Sequence, residues 1–126
     1  MKTQGVTWNA VVTDDFDNTV GFLKGTFGLS AAVEFPGFAM FPQANGGILE
    51  VYAEGNTPPY GFNGGVVFGF RVEDIEAASA ELADAGVELL GEVNRLDTGY
   101  AYRHFRGTDG KVYGLNEDPQ ETHTKA

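Results

Sequence analysis

The stretch HFRGTDGKVYGLNE, residues 104–117, reads as a β-strand, a tight turn at Thr108-Asp109-Gly110 and a returning strand. Aromatic and β-branched residues on either side suit a pleated sheet, and Asp followed by Gly supplies the turn chemistry. Followed backwards from this hairpin, the chain resolves into an ordered unit. Strands are predicted at Val87–Val93, Tyr100–Phe105 and Lys111–Asn116. Before them EDIEAASAELADAG, residues 73–86, places Ile75, Ala78, Ser79 and Leu82 on one helical face and ends on Gly86. A strand at Val66–Val72 leads into that helix.

The first half of the chain has the same order. VTWNAVVT, residues 6–13, reads as a strand, and DDFDNTVGFLKGTFG follows it, with Phe16, Val20, Leu23 and Phe27 at helical spacing. Asp15 is the expected N-cap, and Gly28 suits the left-handed position after a helix. Three strands are expected next, at Ala31–Glu34, Phe38–Pro42 and Gly46–Ala53; in the last, Ile48, Glu50 and Tyr52 alternate with Leu49 and Val51. Placing Asp15 over Asp74 brings Phe16 over Ile75 and Leu23 over Leu82, a constant offset of 59 residues.

A duplicated strand-helix-strand-strand-strand unit has a curved sheet that cannot bury both faces alone, so two units must pair. The predicted fold is therefore α+β: two βαβββ modules, residues 4–54 and 65–118, forming a curved mixed sheet around a concave ligand cup, with the helices outside. The linker EGNTPPYGFNGG, residues 54–65, is dense in Gly, Pro and Asn and reads as a connector, long enough to let the modules pair within one chain or between two. A single domain of 126 residues is the expectation, with a homodimer as its assembly.

Composition narrows the chemistry. The chain has no cysteine, which excludes disulfides, thiolate metal sites and cysteine nucleophiles. Eight basic against eighteen acidic residues give a net charge of -10, which disfavours nucleic acid and anionic membranes and draws in cationic small molecules. No segment has the apolar run of a secretory signal or a membrane span, so a cytoplasmic location is expected. Ten Phe, five Tyr and one Trp, with eighteen Gly, predict a ring-lined sheet joined by glycine turns. The two NGG triplets, at Asn45-Gly46-Gly47 and Asn63-Gly64-Gly65, precede no helix and so read as turns and linkers, not phosphate loops. The polar tail makes His123 a bystander.

Two motifs carry a family resemblance. DDFDNTVGFLKGTFGLS, residues 14–30, resembles the first helix of the vicinal oxygen chelate superfamily, which holds glyoxalase I, extradiol dioxygenases and the fosfomycin- and bleomycin-resistance proteins. FRGTDGKVYGLNE, residues 105–117, resembles its closing hairpin. The resemblance implies a divalent metal in the cup, held by the first and last strands of each module. Carried onto this chain, those positions are Trp8, Val67, Glu50 and Gly114, and one of the four is a ligand. A single carboxylate beside an indole, an isopropyl group and a hydrogen does not make the site. No metal and no cofactor are expected. Gly114 in place of the carboxylate either admits a ligand ring or accommodates the bulk of Trp8.

If Glu50 and Gly114 face inward, alternation brings Ile48, Tyr52, Val112 and Asn116 with them, and adds Trp8, Ala10 and Val12 from the first strand and Val67, Gly69 and Arg71 from the fifth. His104, ten residues before Gly114, resembles in spacing the location of a cup-facing tyrosine in extradiol dioxygenases, and Tyr100 and Tyr102 share its face. The expected ligand-binding set is Trp8, Glu50, Tyr52, Arg71, Tyr100, Tyr102, His104, Gly114 and Asn116. Rings would stack on an amphipathic guest while Glu50, Arg71, Asn116 and His104 orient it. Glu50 either pairs with Arg71 across the cup or contacts the ligand. The leading expectation is a metal-independent binding protein of the bleomycin-resistance type, with a role in antibiotic resistance, sequestering an aromatic or cationic compound. The alternative is a metal-independent lyase or isomerase with Glu50 or His104 as acid or base.

Overall fold

The computed structural model describes residues 1–62 and 65–119. In chain order the elements are β1 (Val6–Thr13), α1 (Phe16–Gly25), β2 (Val33–Phe35), β3 (Phe38–Pro42), β4 (Ile48–Ala53), β5 (Val66–Arg71), α2 (Ile75–Asp84), β6 (Glu88–Arg95), β7 (Ala101–Arg106) and β8 (Val112–Glu117). The two helices stand 59 residues apart, as the repeat predicts. Residues 63 and 64 of the second NGG triplet, and His123, lie outside the described residues.

The strands form one open sheet in the order β2-β3-β4-β1-β5-β8-β7-β6. Each module supplies four neighbouring strands, and the modules join within the chain where β1 runs antiparallel to β5. Within each module the first and last strands are parallel, with Ala10 opposite Glu50 and Gly69 opposite Gly114. Ala10 and Gly69 are also 59 residues apart. The register therefore makes Glu50 and Gly114 true counterparts.

Several expectations shift, the strands of the second module by one or two residues at their ends. β2 begins at Val33 and β4 at Ile48; the residues before Ile48 are a turn in which Gly46 N–H donates to Gln43 O at 3.0 Å and Asn45 Oδ1 accepts from Gly47 N–H at 3.0 Å. Asp74 caps α2, its Oδ1 accepting from Ala77 N–H at 3.1 Å, whereas the Asp15 carboxylate makes no cap and bonds Asn18 Nδ2 at 2.9 Å. Phe27 lies past the end of α1, 63% exposed and edge-on to Phe22. Its helical spacing was fulfilled in sequence but not in space.

Apolar burial divides into three clusters. Val20 of α1 packs with Ala39, Phe41 and Val51 on one module, and Ile75 and Ala78 of α2 pack with Val72, Ala101 and Leu115 on the other. The Val, Ile, Leu and Phe side chains among these each contribute about 1.5–3 kcal/mol. The third cluster, Trp8, Ala10, Val67 and Val112, lies on the opposite face at the seam between modules, and it forms the floor of the cup.

Candidate functional site

The concave face encloses a cavity of about 800 Å³, with wall residues from both modules and from the linker. Of the residues predicted to line it, Trp8, Glu50, Tyr52, Tyr100, Tyr102, His104, Gly114 and Asn116 do so. Arg71 does not. Its Nε donates to Gln4 Oε1 at 2.9 Å, and its backbone pairs with the N-terminal segment through Arg71 N–H to Gly5 O at 2.9 Å. Of the two alternatives for Glu50, the ion pair with Arg71 across the cup is therefore not the one the structure forms: Arg71 makes other contacts, and Glu50 Oε1 is taken by Trp8 and Tyr52.

Glu50 is the polar centre. Trp8 Nε1 and the Tyr52 hydroxyl both donate to its Oε1, each at 2.8 Å, while Oε2 takes no hydrogen bond among the described residues. Burial raises the Glu50 pKa above the usual carboxylate value, against the lowering effect of those two donors. Tyr52 is raised by burial first and then by the neighbouring Glu50 charge, and so is Tyr100. Both remain phenols.

His104 completes a ring cluster. It stacks on Trp8 with centroids 5.2 Å apart and planes 27° from parallel, and its Nδ1 is hydrogen-bonded to the Tyr60 hydroxyl. Burial pushes its pKa down to about 4, so the imidazole is neutral over the physiological range. Asn116 is buried and its amide is engaged, Nδ2 donating to Thr7 Oγ1 at 3.0 Å.

Gly114 is explained by Trp8. A Cβ at 114 would stand 3.0 Å from both Cε3 and Cζ3 of the indole, closer than side chains normally approach. The indole therefore occupies the volume where the resemblance places the carboxylate of the second module. At Gly69 the limit is backbone, because a Cβ there would lie 2.8 Å from the Gly114 carbonyl oxygen.

The cup's residues do not fit a divalent ion. Glu50 is the one donor at the four positions the resemblance implies, and its Oε1 is already engaged by an indole and a phenol. Among the described residues, Asp74, Glu76 and Glu117 are the carboxylates close enough together to hold a cation, and they lie outside the cup. Arg95 bonds Glu76 at 3.1 Å and Glu117 at 3.0 Å, and Glu117 also accepts from Ile75 N–H, so that cluster is a structural brace for α2.

The linker's composition predicts a connector, yet it supplies part of the wall. Pro58, Pro59 and Tyr60 line the cavity, and Phe62 meets Trp8, Tyr52 and His104 edge-on at 5.8, 5.2 and 5.3 Å. Phe35 and Phe38, stacked at 5.0 Å, extend the ring surface along β2 and β3 through Phe38 on Tyr52. The signal for the linker was present as two aromatics after a Pro-Pro pair, residues too apolar to be left in solvent.

The Glyoxalase/Bleomycin resistance protein/Dioxygenase superfamily model matches residues 5–112. No curated protein matches the sequence. Among solved structures, a variant of Streptomyces coelicolor methylmalonyl-CoA epimerase in complex with 2-nitronate-propionyl-CoA superposes with a TM-score of 0.68 at 22% identity, covering 94% of this chain and 97% of that one. Methylmalonyl-CoA epimerase from Mycobacterium tuberculosis gives 0.67 at 17% identity, covering 94% and 91%. A glyoxalase/bleomycin resistance protein/dioxygenase superfamily member from Vibrio splendidus 12B01 gives 0.63 at 18% identity, covering 90% and 98%. At these identities the likeness establishes the fold alone.

Proposed function

Because the chain belongs to the Glyoxalase/Bleomycin resistance protein/Dioxygenase superfamily, we propose that it is a metal-independent small-molecule binding protein that sequesters an aromatic or cationic organic compound in its cup. The observation that carries this reading is the division of labour at Glu50: one oxygen is fixed by Trp8 and Tyr52, and the other is left to a guest. A carboxylate so held gains most from a ligand that brings its own N–H donor or positive charge. The surrounding rings supply stacking area and a cation-attracting face.

The cup wall includes no lysine or arginine among the described residues. It thus offers no cationic anchor to an anionic ligand, unlike what the CoA esters bound by the similar epimerases would call for. The net charge of -10 points the same way. As further parts of the same proposal, the protein acts in the cytoplasm, as a homodimer, in resistance to a toxic compound. Among the described residues no helix is long and apolar enough to cross a membrane.

Trp8 is the one tryptophan and it lines the cup, so its fluorescence reports occupancy directly. Titration with aryl-ammonium compounds is expected to give saturable one-to-one binding that chelators leave unchanged. Glu50→Gln should weaken cationic ligands about tenfold or more and leave neutral aryl analogues nearly unaffected. An unresponsive Trp8 across such a panel would count against the proposal.

A second reading, a metal-independent lyase or isomerase, is favoured by one feature: a carboxyl raised in pKa and a neutral imidazole share one cavity. Under that reading Glu50→Gln or His104→Gln abolishes turnover while ligand affinity stays within about threefold, well under one 1.4 kcal/mol decade.

A further inference from the structure

The linker fills part of the cup with its own side chains. Phe62 is surrounded by three rings, Trp8, Tyr52 and His104, at centroid distances of 5.2 to 5.8 Å and interplanar angles of 64° to 84°. That is the edge-to-face geometry preferred between separate aromatic groups. Two of the three, Trp8 and Tyr52, are the residues that donate to Glu50. Any ring in the place of Phe62 is therefore one side chain away from the carboxylate.

The linker is held there lightly. Among the described residues, the one backbone hydrogen bond made by residues 57–62 is internal, from Gly61 N–H to Pro58 O at 2.7 Å. None ties this segment to the sheet. Its attachments are side-chain ones: the Tyr60 hydroxyl on His104 Nδ1, the Tyr60 ring 5.6 Å from the imidazole, the Phe62 edges, and the packing of Tyr60 and Phe62 on the seam cluster. Withdrawing Phe62 breaks no strand pairing, whereas withdrawing Trp8 or Tyr52 would disrupt β1 or β4. The seam floor of Ala10, Val67 and Val112 lies beneath these rings and is fully buried.

We infer that Phe62 is a resident stand-in for the ligand: the space it holds is a ring-sized subsite for a single-ring aryl group carrying an amine, and the guest's ring displaces Phe62 as its ammonium reaches Glu50. This rests on the proposed binding function for the amine, but not for the ring. A subsite of this kind discriminates by size, because a ring that fits between Trp8, Tyr52 and His104 exchanges for Phe62 with little change in buried area. The Tyr60–His104 bond sets how readily the exchange occurs.

The test uses the full chain, Trp8 fluorescence and calorimetry, with benzylammonium and benzyl alcohol as probes. Phe62→Ala removes the occupant and should raise benzylammonium affinity about tenfold or more, since an aryl-sized apolar cavity takes up a single aromatic ring. Tyr60→Phe keeps every ring and removes only the tie to His104; it should raise affinity about fivefold, the equivalent of one hydrogen bond of about 1 kcal/mol. This second variant guards against a Phe62→Ala chain that fails to fold. If both probes gain in Phe62→Ala and Glu50→Gln has no effect on either, the subsite stands while the cationic reading of Glu50 falls. If neither probe gains in either variant, the inference is overturned, whatever the wild-type protein binds.

Discussion

The two modules present equivalent strand pairs to the cup and use them in opposite ways. In the first, Ala10 faces Glu50, and the pair carries a carboxylate with its own donors. In the second, Gly69 faces Gly114, and neither has a side chain. The freed volume is taken by Trp8, which belongs to the first module. At these equivalent positions duplication thus lets one strand pair provide a carboxylate and the other provide room. The same division shows in titration. Burial drives Glu50 of the first module upward and His104 of the second downward, so each is pushed towards its neutral form.

The largest effect should come from breaking the glycine pair. Gly69→Ala would set a Cβ 2.8 Å from a carbonyl oxygen of β8 that cannot move without the strand, and a loss of about 3 kcal/mol or more is expected in urea unfolding. The counterpart change Ala10→Gly should cost only about 1 kcal/mol. Equal losses would remove the asymmetry.

The next effect is acid sensitivity from His104. Its folded pKa lies below the unfolded value, so its contribution is present above about 6.5 and is lost as pH falls towards about 4. The lowering from 6.5 corresponds to about 3 kcal/mol at most. In thermal melts between these pH values the parent should lose stability relative to His104→Phe as pH falls. Glu50 has the opposite sign, since its raised pKa favours the fold at low pH and costs stability as pH rises through it.

Smaller again is Gly114→Ala, expected to cost about 1–2 kcal/mol by pressing on the indole. Trp8→Phe in the same chain should relieve most of that cost, and a double-mutant cycle measures the coupling. An additive pair would mean that Trp8 is not what Gly114 accommodates. The smallest effect is Glu50→Gln at pH 8, where the burial penalty disappears but both donors keep an acceptor; melting should rise by about 3 °C. The gain should vanish as the pH falls below the raised pKa.

Much of this arrangement is legible in the residues. Periodicity places β1 and β3 with their observed ends, and Asp74 announces the start of α2. The family resemblance places Glu50 and Gly114 at corresponding last-strand positions before any strand is paired. Arg71 shows where alternation stops being enough: it is on the predicted face, but the N-terminal segment pairs with its backbone and Gln4 takes its Nε. Phe62 and Tyr60 show a second limit. Pro, Gly and Asn mark a connector, but the path of a connector depends on which surface its aromatics can cover.

By itself the sequence determined the elements, their duplication and the single carboxylate left at the superfamily's ligand positions, because periodicity, turn chemistry and residue inventory are local properties of the chain. Only the tertiary structure decided that Trp8 stacks on His104, that Gly114 makes way for that indole and that the linker's rings close over the seam. These contacts join residues up to about a hundred positions apart, and the shape of the folded sheet, which no local pattern encodes, brings them within packing distance.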